Sequence, residues 1–344
     1  MSRLVPFAVL TVAAALYAKD PPPPLPKAES PKGETIPSPK LTPPPATAVA
    51  ATVNGEKIGE IAVFRALLKE KPMNRDAARK EVVNYMVDNL LIDQYLRQVK
   101  VEVTAKELDE RIDQIKMELK KVGQDFDKQL AELFLTEAEL RKELAAALRW
   151  DKFVVQQGTD KALRELFDKN KMMFDGTQVQ ARHILVSTKE TAPDKAKAKI
   201  AQIKKQIQDE VDAEVKKAPA GSDKLAVEKI RIAALEKVFA DVAAKESSCP
   251  SKTQGGDLGF FPRVGAMVEP FARTAFSLKP YEMSDPVVTE FGVHLIMTTE
   301  WKMGKEVKFE DVKGFVTEIY GERLREAVIS AYKPRSKVEI GKGG

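Results

Sequence analysis

The spacing of apolar residues predicts long amphipathic helices in the first half of the chain. Apolar residues recur every three or four positions in two stretches, which are Leu108, Ile112, Ile115 and Leu119 after Thr104, and Leu140, Leu144 and Leu148 after Thr136. A glutamate follows each of these threonines by three residues, which is the capping-box pattern at a helix start. The two apolar stripes are therefore expected to face a core.

Short strand patterns are predicted on both sides of this helical region. Residues 49–53 are small, apolar or β-branched, and the Asn54-Gly55 pair that follows them favours a tight turn. Residues 309–332 are predicted to form the last helix, and 337–340 a short strand after it. The pattern thus predicts a helical lobe preceded by one strand, and a helix and a strand that close the chain.

The apolar pattern changes in the second half of the chain. A period of two over residues 177–187 predicts a β-strand, and helical composition returns over 192–245. Residues 285–299 are predicted to form a hairpin around Glu290-Phe291. Strand, helices, strand and hairpin in this order indicate a small α+β module with an antiparallel sheet.

A glycine-rich turn precedes this hairpin at residues 254–261, with the sequence Gln-Gly-Gly-Asp-Leu-Gly-Phe-Phe. Because glycine alone adopts positive φ without strain, the turn indicates a tight bend where the backbone closely approaches another group. The spacing is not the G-x-G-x-x-G of dinucleotide sites, and no Gly-Lys-Ser/Thr follows as in a Walker loop. A phosphate ligand is therefore not expected here.

Composition and charge limit the classes of function. The 344 residues carry a net charge of +5 with 31% charged residues, so no basic stripe argues for nucleic-acid binding. Residues 1–18 contain Arg3, an apolar run and several alanines, which is the pattern of an export signal. This run is too short to span a bilayer comfortably, and no later segment is long enough. We expect an exported protein with no membrane segment after signal removal.

A proline-rich linker is predicted at residues 19–48, which hold eleven of the 21 prolines. Such a segment cannot bury enough apolar surface to fold and samples extended conformations, so a tether is the preferred interpretation. Binding of the prolines to an SH3-like partner is the alternative.

The only cysteine, Cys249, and the only two histidines, His183 and His294, all lie in the α+β module. One cysteine cannot form an internal disulfide, and the thiol could simply be a small buried apolar group. The three residues lack the close pairs of structural zinc motifs, so neither a metal nor a cofactor is expected. A nucleophilic Cys/His pair stays open as a third class of function, a hydrolase.

Four motifs of the module, in the same order, resemble the parvulin peptidyl-prolyl isomerases. They are Ala-Arg-His-Ile-Leu-Val at 181–186, the run at 248–261 that holds the cysteine and the glycine turn, Gly-Ala-Met-Val-Glu-Pro-Phe at 265–271, and Val-Thr-Glu-Phe-Gly-Val-His-Leu-Ile at 288–296. The Val53-Asn54-Gly55-Glu56 segment with its helices, and residues 166–171, look like the N-terminal chaperone lobe of the exported SurA and PrsA foldases.

The resemblance implies an α+β fold with a parvulin module, in which helices flank a four-stranded antiparallel sheet, plus an all-helical SurA/PrsA-like lobe. The chain would then contain a signal peptide, a linker, the chaperone-like lobe, the isomerase domain, and a C-terminal helix and strand that pack on the lobe. These segments are expected at 1–18, 19–48, 49–174, 175–300 and 301–344.

The resemblance also implies roles for individual residues. Leu258, Met267 and Phe271 would form an apolar cup for the proline ring, with Phe291 at its rim. Alternatively, the cup residues could be ordinary core.

His183 and His294 would be the tandem histidines of the family, with Cys249 and Thr289 beside them and beside the substrate amide. These four catalytic candidates are expected to set polarity and orientation, since isomerisation creates no acyl intermediate that a covalent step could stabilise. The histidines could instead mainly hold the sheet together.

The preferred hypothesis is an exported peptidyl-prolyl isomerase and chaperone, in the periplasm or another extracytoplasmic envelope compartment. Its clients would be unfolded or proline-containing polypeptides of secreted or envelope proteins. The alternative is a binding chaperone whose parvulin module is weak or inactive. Specificity for phosphoserine-proline is not expected, because Ser-Thr-Lys-Glu-Thr at 187–191 stands where phosphate-directed parvulins carry a Lys/Arg cluster.

Overall fold

The computed structural model of the chain describes residues 42–68 and 75–341. The signal peptide predicted at 1–18 lies outside the described residues, and so does most of the linker predicted at 19–48. The chain divides into two compact units, of which one is Arg164–Val316 and the other comprises the flanking segments up to Leu163 and from Thr317 onward. Among the helices that are described, none is long and apolar enough to cross a membrane.

The flanking segments form a mainly helical unit, called the lobe below. Its helices are α1 (Glu60–Ala66), α2 (Arg75–Gln98), α3 (Ala105–Lys121), α4 (Phe126–Glu132) and α5 (Glu137–Gln157). The unit boundaries fall within α6 (Asp160–Lys169) and within α10 (Phe309–Tyr332), the last helix of the chain. Both predicted capping boxes are confirmed, because Thr104 and Thr136 each exchange hydrogen bonds with the glutamate three residues on.

The predicted apolar stripes form one of the cores of the lobe. Residues of α3, α4 and α5 pack together there, with Ile112, Ile115, Leu119, Leu140 and Leu144 all buried. A second core joins the two flanking segments, since Val328 of α10 packs with Leu96 of α2 and Phe153 of α5. The lobe is thus built from both ends of the described chain.

The lobe also contains a three-stranded antiparallel sheet, so the expectation of an all-helical lobe was wrong in this respect. Strand β1 (Val49–Val53) lies between β2 (Glu56–Gly59) and β8 (Val338–Ile340). Asn54 and Gly55 have φ values of 49° and 86°, which is the tight turn that lets β2 fold back on β1. The C-terminal strand then pairs with the free edge of β1.

The other unit, called the module below, is built around an antiparallel sheet. Its strands are β3 (Gln178–Ser187), β4 (Asp257–Pro262), β5 (Glu282–Met283), β6 (Val287–Thr289) and β7 (Gly292–Lys302), in the order β4-β3-β7-β5, with β6 also paired to β7. The sheet therefore has five strands where four were expected. Two short strands share one edge of β7, because residues 284–286 between them lie opposite only two residues of β7, 295 and 296, and so interrupt the pairing.

Helices cover both faces of this sheet. On one face, α7 (Pro193–Val215) and α8 (Lys224–Glu246) pack on Ile184, Val186 and Leu295. On the other face, α9 (Glu269–Ala275) packs on Val179 and Ala181. The alternation of β3 side chains between the two faces thus builds both cores, and the candidate site lies on the α9 face.

Candidate active site

The structure brings the two histidines together in the centre of the sheet. In the antiparallel pairing of β3 with β7, His183 lies opposite Ile296, and His294 lies opposite Leu185, so the histidines are diagonal neighbours. Their Nδ1 atoms are 3.1 Å apart, and their rings stack with centroids separated by 5.4 Å. Both side chains are buried, with exposed fractions of 5% and 4%.

A threonine and a backbone amide extend this pair into a hydrogen-bonded chain. Thr289 on β6 places its Oγ1 2.8 Å from His294 Nε2, and the Phe291 N–H donates to the same Oγ1 at 3.1 Å. The hairpin between β6 and β7 brings Thr289 to this position, because Thr289 pairs with Gly292 at the start of β7.

The distances in this chain fit a proton assignment in which the Thr289 hydroxyl is the first donor. Since Thr289 Oγ1 accepts the amide proton, its own hydroxyl proton can be donated to His294 Nε2. In this assignment His294 has its proton on Nδ1 and donates it to Nδ1 of His183. The same assignment places the proton of His183 on Nε2, an atom that is buried and has no hydrogen-bond partner among the described residues.

Both imidazoles are neutral at ordinary pH. Burial lowers the pKa of His183 from 6.5 to about 4. Burial lowers the pKa of His294 to about 3, and the neighbouring His183 contributes to that shift. A stacked pair of imidazoles in an apolar site would be unstable if both rings were charged, so the site is arranged for two neutral rings.

We expect the stability of the protein to fall in acid because of this pair. The unfolded chain binds protons on both histidines below about pH 6.5, whereas the folded protein excludes them until much lower pH. The stabilising contribution of the neutral pair is therefore complete above about pH 6.5 and is lost as the pH falls towards 3.

Urea unfolding of the wild type and of His294→Gln, measured between about pH 7 and about pH 4.5, tests this expectation. The substitution removes one titrating ring, so the pH slope of the unfolding free energy should decrease by about 1 kcal/mol per pH unit. Equal slopes for the two proteins would contradict the assignment of acid sensitivity to the histidine pair.

An aromatic ring from α9 borders both imidazoles. Phe271 packs edge-on against His183 and His294, with ring centroids 5.5 Å and 5.3 Å away. Its side chain is 3% exposed and belongs to an apolar cluster with Phe261 and Phe276. Phe271 is therefore a core residue that also contacts the histidine pair, and its contact with a proline ring stays a prediction.

Three other residues, Leu258, Met267 and Phe291, were predicted to contact the proline ring. Leu258 of β4 and Met267, which precedes α9, are both partly buried against the cluster that contains Phe271. The structure thus brings Leu258, Met267 and Phe271 together. Phe291 is half-buried, and its contact with the site is the bond from its backbone N–H to Thr289.

Cys249 lies at the start of a 3-10 turn, Pro250–Gln254, and its side chain is partly exposed. The Ser251 hydroxyl donates to Cys249 Sγ at 3.3 Å. Within the described part of the chain, Sγ has no hydrogen bond to either imidazole. The paired nucleophile and base that a hydrolase needs are therefore not formed in this arrangement.

Ser247 is a functional candidate that the sequence did not reveal. It caps the end of α8 and is buried, and its Oγ accepts the backbone N–H groups of Leu185 and Cys249. Ser247 thereby ties the cysteine turn to β3, beside the strand position of His183. No local pattern could have identified it, since Leu185 is 62 residues away along the chain.

The glycine turn is explained by contacts within the chain. Gly255 and Gly256 have φ values of 62° and 79°, which favour glycine. A Cβ at Gly256 would lie 2.3 Å from the backbone oxygen of His183, and one at Gly255 would lie 2.6 Å from Cβ of Ala240. The close approach predicted from the glycines is therefore to β3 and α8, and the His183 N–H donates to the Gly256 carbonyl at 2.9 Å.

Comparison with known proteins places these residues in a family. Residues 163–302 match the family model described as the PPIC-type PPIASE domain. The chain is 31% identical over 237 residues to Foldase protein PrsA of Geobacillus kaustophilus (strain HTA426), covering 68% of each protein. It is 29% identical over 239 residues to Foldase protein PrsA of Bacillus subtilis (strain 168), covering 70% of the chain. The match spans 64% of the length of that relative.

The chain also matches solved structures. The crystal structure of peptidylprolyl isomerase (PrsA) from Bacillus anthracis matches with 23% identity and a TM-score of 0.41. The match covers 75% of this chain and 98% of that chain.

Proposed function

Because the chain belongs to the PrsA foldase family and carries a PPIC-type peptidyl-prolyl isomerase domain, we propose that it accelerates the cis-trans isomerisation of X-Pro bonds in unfolded polypeptides. The observation that carries this proposal is the neutral histidine pair, held by Thr289 and bordered by the Phe271 edge. Such a site offers an apolar surface for a proline ring beside a few fixed dipoles.

The energy that this reaction demands is modest. The barrier to rotation of a peptide bond is about 18–20 kcal/mol, and an X-Pro bond isomerises unaided in tens to hundreds of seconds. Acceleration by about a hundredfold requires about 3 kcal/mol of transition-state stabilisation. Solvent exclusion and a few oriented groups can supply this amount without a covalent bond.

In the proposed mechanism, Leu258, Met267 and Phe271 hold the proline ring while the amide rotates. The planar amide is the more charge-separated form, so removal from water favours the twisted form relative to it. The neutral imidazoles add no net charge that would favour either planar form. The hydrogen bonds among Thr289, His294 and His183 hold both rings in fixed orientations.

The clients and the compartment are part of the proposal. The predicted export signal and linker favour an envelope protein tethered outside the cytoplasm, whose clients are unfolded or proline-containing polypeptides. The lobe, with its discontinuous helical core, is proposed to hold such clients while the module acts on them. Isomerisation of an Xaa-Pro peptide by the full chain tests the enzymatic part, and binding without acceleration would leave only a binding chaperone.

Substitutions of Cys249 distinguish non-covalent isomerisation from nucleophilic chemistry. We expect Cys249→Asp to retain more activity than Cys249→Ala, because a carboxylate still accepts the Ser251 hydroxyl bond whereas alanine cannot. The kcat/KM of the aspartate variant should stay within about tenfold of the wild type, a change of about 1.4 kcal/mol. Complete loss of activity in both variants would instead support a thiolate nucleophile.

A further inference from the structure

A bidentate ion pair joins the two ends of the loop between β4 and α9. Arg263 follows β4, and Glu269 is the first residue of α9. The Arg263 Nη1 and Nη2 atoms donate to the two carboxylate oxygens of Glu269, each at 2.7 Å. This bidentate arrangement fixes both distance and orientation between the two ends of the loop.

The backbone of the loop contributes little to its own rigidity. Gly265 has a φ of 90°, and residues 264–267 make no backbone-backbone hydrogen bond in the part of the chain that the structure describes. Met267 is in this segment and is partly buried against the Phe271 cluster. Its position along the cluster is therefore determined chiefly by where the two loop ends are held.

The burial of Arg263 shows that the pair is more than a surface contact. The Arg263 side chain is 8% exposed, and that of Glu269 is 50% exposed. An exposed ion pair contributes little, but a buried guanidinium without its partner is strongly unfavourable. The loop conformation is thus coupled to the presence of the glutamate.

The Arg263-Glu269 ion pair also connects the elements that carry the three residues predicted to form the cup for the proline ring. Leu258 lies on β4 before Arg263, Met267 lies between the two charged residues, and Phe271 lies two positions after Glu269. We propose that Arg263 and Glu269 are positioning residues that set the spacing of Leu258, Met267 and Phe271, and so determine which ring size the site accepts. This inference rests on the proposed isomerase function.

The test compares two substrates that differ only in ring size, an Xaa-Pro peptide and the same peptide with pipecolic acid, the six-membered homologue of proline. For Glu269→Gln, we expect KM for the proline peptide to rise about fivefold with a smaller change in kcat, a loss of about 1 kcal/mol in binding. The preference for proline over pipecolic acid should decrease by a similar factor. Glu269→Asp keeps the carboxylate and should give intermediate values.

Glu210→Gln is the matched control, since Glu210 is an exposed residue of α7 that accepts a hydrogen bond from the Gln206 side chain. This variant should have the same KM and kcat as the wild type for both peptides. Thermal unfolding of each variant shows whether it is folded. If Glu269→Gln is not folded, the same comparison is made with Glu269→Asp. An equal loss of activity towards both peptides, or an unchanged preference, would overturn the positioning role. Failure of the wild type to act on either peptide would instead refute the isomerase function itself.

Discussion

Among alanine substitutions of the glycines in the turn at 254–261, Gly256→Ala is expected to destabilise the module most. The new Cβ would lie 2.3 Å from the backbone oxygen and 3.2 Å from the backbone nitrogen of His183. Neither atom can move without displacing the centre of β3. Overpacking costs about 1–3 kcal/mol, and left-handed backbone adds about 1–2 kcal/mol for alanine, so we expect a loss of about 3 kcal/mol or more.

Gly259→Ala provides the control for this prediction. Gly259 also has a positive φ, of 65°, but a Cβ there would meet nothing within 4 Å. Its substitution by alanine should lower the free energy of unfolding by about 1–2 kcal/mol, the cost of left-handed backbone for alanine. Urea unfolding of both variants measures the difference. Equal free energies of unfolding would mean that the close approach to His183 is not what requires glycine at position 256.

Phe271→Ala is expected to produce the largest combined loss of stability and activity. Removal of a buried phenylalanine side chain costs about 3–5 kcal/mol, and the site would lose the ring that borders both histidines. Because this variant could fail to fold, Phe271→Leu is the more informative substitution. It keeps an apolar group of moderate size and should lower kcat/KM by about tenfold or more, equivalent to about 1.4 kcal/mol or more.

Phe276→Leu separates packing from contact with the histidines. Phe276 belongs to the same apolar cluster and is 6% exposed, but its ring contacts are Phe261 and Trp301. The two leucine variants should lose similar amounts of stability in urea unfolding, whereas only Phe271→Leu should lose activity. Equal activities in the two variants would show that Phe271 serves the core alone.

Elements with local signals could be predicted from the sequence. The capping boxes at Thr104 and Thr136 depend on residues three apart, so the pattern and the structure agree. The last helix has the expected bounds, Phe309–Tyr332, and the hairpin around Glu290-Phe291 is present as β6 and β7. The motif order also indicated which histidines would meet, although only the structure gives their 3.1 Å separation.

Features that depend on distant partners could not be predicted in the same way. The lobe sheet needs β8 to reach β1 from the other end of the chain, and no pattern in either strand encodes that pairing. The role of Gly256 depends on His183, a residue on another strand, so positive φ was foreseeable but the group it approaches was not. The Arg263-Glu269 pair depends on burial of the arginine, which a charged loop sequence does not suggest.

The module is proposed to isomerise X-Pro bonds through this apolar and neutral site. The most direct test is the refolding of a reporter protein whose slow phase, of tens to hundreds of seconds, is limited by proline isomerisation. The slow-phase rate constant is measured against increasing concentrations of the full chain and of its Phe271→Leu variant. We predict a linear rise for the wild type and a slope at least about tenfold smaller for the variant. If the wild type accelerates the slow phase no more than Phe271→Leu does, the claim is contradicted.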